Sequence, residues 1–146
     1  MATAVYVARH AIPFLDGLIA HWHFSRMGLS HTIYALTRGI PDAFLPGWVA
    51  PVRTRGFVAR EVSRDRGCAR VVFPSGGRGK WKSGFYWLAM GLGVPVVPVT
   101  IDYWNLRLVE HREIRPLEDH LTFSEVKRAC LSVTRPPRIR LYPNEF

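Results

Sequence analysis

Cysteine is nearly absent from this chain. Cys68 and Cys130 are the two in 146 residues, too few for a disulfide scaffold and too far apart for a metal knuckle. A reducing compartment is the default that follows. Long apolar runs are also missing: none reaches the ~18 residues that a membrane span requires. The stretch from Met1 to His10 has no basic residues ahead of its apolar letters, so it does not read as a signal peptide. Acidic residues are scarce, 11 against 20 Lys and Arg, for a net charge of +9. Neither an internal repeat nor a low-complexity tract interrupts the sequence.

What is present is apolar and aromatic. Hydrophobic residues make up 48%, with 8 Phe, 5 Trp and 5 Tyr, which excludes a disordered chain. Residues 1–146 are expected to form one domain that buries roughly two thirds of its unfolded surface. The positive charge is concentrated. From Arg53 to Lys82, nine Lys and Arg stand against Glu61 and Asp65. That third would attract phosphate on a small molecule, a nucleic acid or an anionic membrane. The last third is nearly balanced, through Glu110, Glu113, Glu118, Asp119 and Glu125.

The stretch from Val71 to Trp104 organises the rest. A short apolar run, Val71 to Phe73, reads as a buried strand and leads into a glycine-rich cationic loop, Pro74 to Lys82. An apolar helix follows from Ser83 as N-cap, over Gly84 to Gly91, and a β-branched run over Val94 to Ile101 closes the unit. Strand, loop, helix and strand make a parallel βαβ unit. The fold class predicted is α/β, with a mostly parallel or mixed central sheet flanked by helices. Ligands of such sheets collect at the strand carboxyl ends, where Arg78, Lys80 and Lys82 stand. Pro98 lacks a ladder donor and argues for an edge position, a bulge or a strand end.

Upstream, Thr3 to Ala8 reads as a first strand, and Pro13 opens a helix with Phe14, Leu15, Leu18, Ile19 and Trp22 on one apolar face. Asp16 lies in its first turn, and Gly28 stops it. Ser30 to Leu36 and Trp48 to Val52 read as extended, with a turn or short helical excursion over Gly39 to Gly47 between them. Gly56 to Arg66 reads as a helix with Phe57, Val58 and Val62 inward and Arg60 and Arg64 outward. Downstream, Arg107 to Glu110 and Glu113 to Arg115 read as strand and connection. Thr122 to Glu125 is a capping box that opens a helix to about Leu131. Arg138 to Tyr142 is a candidate final strand.

Several residues allow chemistry. His10 follows the first strand, and a carboxylate such as Asp16 that accepts from its second ring nitrogen would fix its tautomer. In Pro74-Ser75-Gly76-Gly77-Arg78-Gly79, three glycines expose backbone N–H groups and Arg78 offers a bidentate contact, as in a phosphate cradle. The spacing and Lys-Ser/Thr pair of a Walker loop are absent. Ser75 lacks a nucleophile elbow. Arg53 and Arg55 follow an extended piece and could approach the same pocket. His21 and His23 on a helix point about 200° apart, which suits zinc poorly even with His31 added. Asp102 ends the last clear strand and is catalytic, ligand-facing or only a strand end.

Phe73-Pro-Ser-Gly-Gly-Arg78 resembles the Phe-Pro-Glu-Gly-Thr-Arg motif of the glycerol-3-phosphate and lysophosphatidate acyltransferase family. The spacing onward to Trp81-Lys-Ser-Gly-Phe-Tyr-Trp-Leu-Ala89 and Gly93-Val-Pro-Val-Val-Pro98 resembles that family as well. So does the order of blocks: a His/Asp block first, here His10 to Asp16, and then a Gly-x5-Arg block, here Gly47 to Arg53. The likeness covers most of residues 5 to 104. This chain has five residues between His10 and Asp16 where the family has four. Ser75 replaces the motif glutamate and Gly77 its threonine, so an acceptor for substrate hydroxyls is lost. The chain also begins almost at the first block, without the family's amino-terminal membrane-associated helices.

The resemblance implies an acyltransferase-like fold and an O-acyltransferase activity. His10 would act as general base, oriented by Asp16. Arg53, Ser75, Gly76, Gly77, Arg78 and Lys82 would bind the acceptor's phosphate. Acyl-CoA or acyl-carrier protein would be the donor, with no bound cofactor and no metal. An anionic or lysophospholipid membrane surface would be the partner, reached from the cytoplasm, and no nucleic acid is expected. Two other readings stand beside it: a non-catalytic phosphate- or lipid-binding module of the same fold, and a basic nucleic-acid-binding domain.

Overall fold

The computed structural model describes residues 3–9, 14–35, 41–52, 56–63, 67–74 and 80–134. In chain order these form β1 (Val5–Ala8), α1 (Leu15–Arg26), β2 (His31–Ala35), a single 3-10 turn (Asp42–Phe44) and β3 (Val49–Pro51). Then come α2 (Phe57–Ser63), β4 (Ala69–Val72), α3 (Gly84–Leu92), β5 (Val96–Asp102), β6 (Arg107–Glu110) and α4 (Phe123–Val133). One six-stranded sheet runs in the order β3-β2-β4-β1-β5-β6. Its first five strands are parallel, and β6 returns antiparallel beside β5. The fold is therefore α/β with a mixed central sheet flanked by helices.

Alternation along β1 sorts the core into two layers. Tyr6 and Ala8 face α1 and pack with Ile19, Ala20 and Phe24. Val5 and Val7 face the other way, toward Phe85, Leu88 and Ala89 of α3 and Val126 and Cys130 of α4. Both cysteines are buried, and burial pushes the Cys130 thiol up to about 12. Helix α2 packs so closely on α3 that a Cβ at Gly91 would meet Val62 Cγ2 at 2.6 Å. Glycine is required there by proximity rather than by backbone conformation.

Helix ends follow local chemistry. Thr122 and Glu125 form the complete capping box of α4. Gly93 ends α3 in the left-handed conformation, with Val94 N–H donating back to the Ala89 carbonyl. Ser83 occupies the N-cap position of α3, but its side chain makes no capping bond.

Two expectations need correction, for the inner face of α1 and for Pro98. Helix α1 begins at Leu15, and its buried side is Asp16, Ile19, Ala20 and Phe24, while Phe14 and Trp22 are exposed. The apolar spacing singled out the wrong stripe because a carboxylate occupies the inner face. Helix α2 is described over Phe57–Ser63, with Phe57, Val58 and Val62 half-buried and Arg60 exposed, the sides the spacing predicts. Arg64 and the proposed strand Arg138 to Tyr142 lie outside the described residues. Pro98 sits inside β5, between β1 and β6, rather than at an edge. Its carbonyl accepts from His111 N–H at 2.9 Å, so its missing donor faces the β6 side, just where that ladder ends at Glu110.

Candidate functional site

The parallel strands share one carboxyl edge. From β1 the chain crosses one face through α1 and reaches β2, passing over β4. From β4 it crosses the other face through α3 and reaches β5, passing over β1. Strands β1 and β4 are direct neighbours, with Val7 opposite Val72. Two adjacent strands whose connections leave in opposite directions define a topological switch point, where ligands of open α/β sheets bind. In sequence, His10 comes two residues after the end of β1, and the Ser75 to Arg78 block begins three residues after the end of β4.

Asp16 lies in the first turn of α1, where the helix dipole favours a carboxylate, and its side chain is fully buried. Tyr103 donates its hydroxyl to Asp16 Oδ1 at 2.6 Å. The backbone at the entry to α1 is strained: Phe14 has φ 66 and ψ −42, a rare combination for a bulky residue. Its carbonyl nevertheless accepts the first helical bond, from Leu18 N–H at 3.0 Å.

The glycine-rich loop is closed at its base. Lys82 N–H donates to the Pro74 carbonyl at 3.0 Å, so the two ends of the loop are held together. Trp81, buried and edge-on to Phe85, anchors the exit in the α3 layer. Lys80 and Lys82 are exposed beside that anchor. Of the site residues expected from sequence, Asp16 and Lys82 are described. His10, Arg53, Ser75, Gly76, Gly77 and Arg78 lie outside the described residues, as does Arg55.

Other expected groups take structural positions. Asp102 accepts from Trp104 N–H and Asn105 N–H, and from the side chains of Asn105 and Arg107. It therefore organises the β5–β6 turn, and these bonds, led by the Asn105 side chain, hold its carboxyl below the usual range. His21 and His23 diverge as their spacing on a helix requires. His21 Nδ1 lies 2.8 Å from His31 Nε2, and its ring stacks on Trp48. His31 donates from Nδ1 to the Leu29 carbonyl at 3.0 Å, so its Nε2 accepts from His21. His23 points instead to β6, where Leu108 N–H donates to its Nδ1 at 3.2 Å and Glu110 lies 3.9 Å from Nε2.

Three functional or structural polar residues escaped the sequence reading. Tyr103 is 87 residues from Asp16, and nothing local links them. Arg9 directly follows β1. It is buried, and its guanidinium donates to the Leu131 carbonyl at 3.2 Å and to Thr134 Oγ1 at 3.1 Å, at the C-terminal end of α4. Arg70 counted toward the cationic third, yet it is buried and paired with Glu61 at 3.3 Å. An arginine within an apolar run, Ala69-Arg70-Val71-Val72, was the available signal for the last of these.

No family model, curated protein or solved structure matches the chain. Among the described residues, no helix is long and apolar enough to cross a membrane.

Proposed function

We propose that the protein is an O-acyltransferase, acting on the hydroxyl of a phosphate-bearing lipid acceptor with acyl-CoA or acyl-carrier protein as donor. One observation supports this reading above the others. The strands that precede the His10 block and the Ser75 to Arg78 block are neighbours at a switch point, with the fully buried Asp16 in the first turn of the helix that follows β1. In the proposed reaction His10 takes the acceptor's hydroxyl proton, and the oxygen attacks the thioester carbonyl. The tetrahedral intermediate collapses with loss of the C–S bond, the ester C–O bond remains, and the proton passes to the departing thiolate. Asp16 orients the imidazole. Arg53 and Arg78, with Ser75, Gly76, Gly77 and Lys82, hold the acceptor phosphate.

The acceptor would be met at an anionic or lysophospholipid membrane surface, with the protein attached peripherally. Trp104 is 96% exposed and Phe14 79% exposed, and aromatic rings of that kind settle at a bilayer's polar interface. The test is incubation of the purified chain with a labelled acyl thioester and a panel of lysophospholipids, beside His10→Ala. Labelled diacyl product from the wild type alone supports both the activity and the base. Product from both chains rejects His10 as the base. Product from neither, with phosphate-dependent binding retained, leaves a non-catalytic module of the same fold.

A further inference from the structure

We infer that Tyr103 is a positioning residue for this reaction: its phenolic hydroxyl fixes the rotation of the Asp16 carboxylate that orients the general base. The inference rests on the acyl-transfer reading and extends it to a residue outside every sequence block.

The geometry is built from both ends. Strand β5 outruns β1: the last β1 pair is Ala8 with Val99, while Thr100, Ile101 and Asp102 pair with β6 alone. Tyr103 is thus carried beyond the end of β1 and lies on the α1 layer, packed against its core. The turn that follows is pinned by Asp102, whose Oδ1 accepts from Trp104 N–H at 3.1 Å and Asn105 N–H at 3.2 Å. From this fixed base the tyrosine reaches the first turn of α1 and donates to Asp16 Oδ1 at 2.6 Å.

A carboxylate has two oxygens, and committing one to a rigid donor sets the direction of the other. The donor brings no charge of its own. A lysine or arginine in the same place would hold the carboxylate just as firmly but would cancel its field at the imidazole. Tyrosine leaves that field in place. Phenylalanine would fill the same space against the core, so the hydroxyl can be removed with little change in packing.

The experiment compares wild type, Tyr103→Phe, Asp16→Asn and the double variant in acyl transfer from an acyl-CoA to a lysophospholipid in mixed micelles, across pH. For Tyr103→Phe, kcat is expected to fall about tenfold, the scale of one charge-assisted bond, with acceptor KM unchanged. The acidic limb of kcat/KM should move to higher pH, because a carboxylate relieved of one donor holds the imidazolium more strongly. In the Asp16→Asn background the same change should have no further effect on kcat. Should Tyr103→Phe leave kcat and the acidic limb in place while Asp16→Asn abolishes turnover, the inference falls and the acyl-transfer reading stands. An equal loss from Tyr103→Phe in both backgrounds assigns Tyr103 a merely structural role. A wild type inactive on every donor and acceptor overturns both.

Discussion

The two faces of the sheet each hold a carboxylate against the core, half-buried Glu61 on one and buried Asp16 on the other, and they treat it differently. On the α3 side Glu61 meets Arg70 at 3.3 Å, and Tyr34 donates to the same Oε1 at 2.7 Å. Arg70 also donates to the Tyr34 hydroxyl. Burial and the Glu61 bond push the Tyr34 hydroxyl's pKa up. Three groups thus satisfy one another in the middle of the sheet, with charge balanced inside the cluster. On the α1 side Asp16 takes its bond from a neutral hydroxyl, in the first turn of a helix beside the strand carboxyl ends. The first arrangement is what stability alone requires of a buried charge. The second sets a carboxylate beside a neutral donor at the carboxyl edge of the sheet, where the proposed reaction would use it.

This contrast is open to attack at several points. The largest effect is expected from Arg70→Ala, which removes a buried guanidinium from the half-buried Glu61 and the Tyr34 hydroxyl and should cost about 2–4 kcal/mol of unfolding free energy. Urea titration followed by circular dichroism measures it, and a loss below about 1 kcal/mol would show that the cluster is not a unit. Next comes Gly91→Ala, which forces a methyl group against Val62 Cγ2 and should cost about 1–3 kcal/mol. Adding Val62→Ala should recover most of that loss, since the same space would then be empty.

On the α1 side, Tyr103→Phe should cost about 1–2 kcal/mol, and Asp16→Asn combined with it should cost less than the two separately. Additive losses in denaturant titrations would mean that the hydroxyl and the carboxylate act independently. The smallest effect is expected from pH. Burial lowers the pKa of His21, aided by His31, and burial lowers that of His23 against the opposing pull of Glu110. Both folded values lie below the ordinary 6.5, so the unfolded chain binds protons first. The stability from these two rings is complete above about pH 6.5 and is lost as pH falls through the folded values. Denaturation midpoints at about pH 7.5 and about pH 5.5 should fall in that order, and His23→Gln should flatten the slope.

Local signals carried the sequence reading far in some places. The strand, loop, helix and strand between Val71 and Trp104 appear as β4, α3 and β5, and the capping box at Thr122 and the glycine stops at Gly28 and Gly93 act within a few residues of themselves. The contacts that give the site its character are long-range. Asp16 reads as an ordinary first-turn carboxylate until β5 is seen to outlast β1 and deliver Tyr103. Arg70 reads as one more surface cation until α2 brings Glu61 over it. Pro98 misled because a missing donor matters only on the side where a partner strand continues, and no local pattern tells where β6 stops. The order of the His10, Arg53 and Arg78 blocks was legible, whereas the side-by-side placement of β1 and β4 depends on two crossovers in opposite directions.

Arg9 gives the C-terminal end of α4 a bearing on the start of the chain. The residue just ahead of the proposed base is tied to Leu131 and Thr134, so β1 and α4 are coupled mechanically. Trimming the chain back into the final turn of α4 would remove no residue of the proposed phosphate cradle, yet it would take the Leu131 carbonyl and the Thr134 hydroxyl away from this arginine. A form ending before Leu131 should then fail through the loosening of its opening segment.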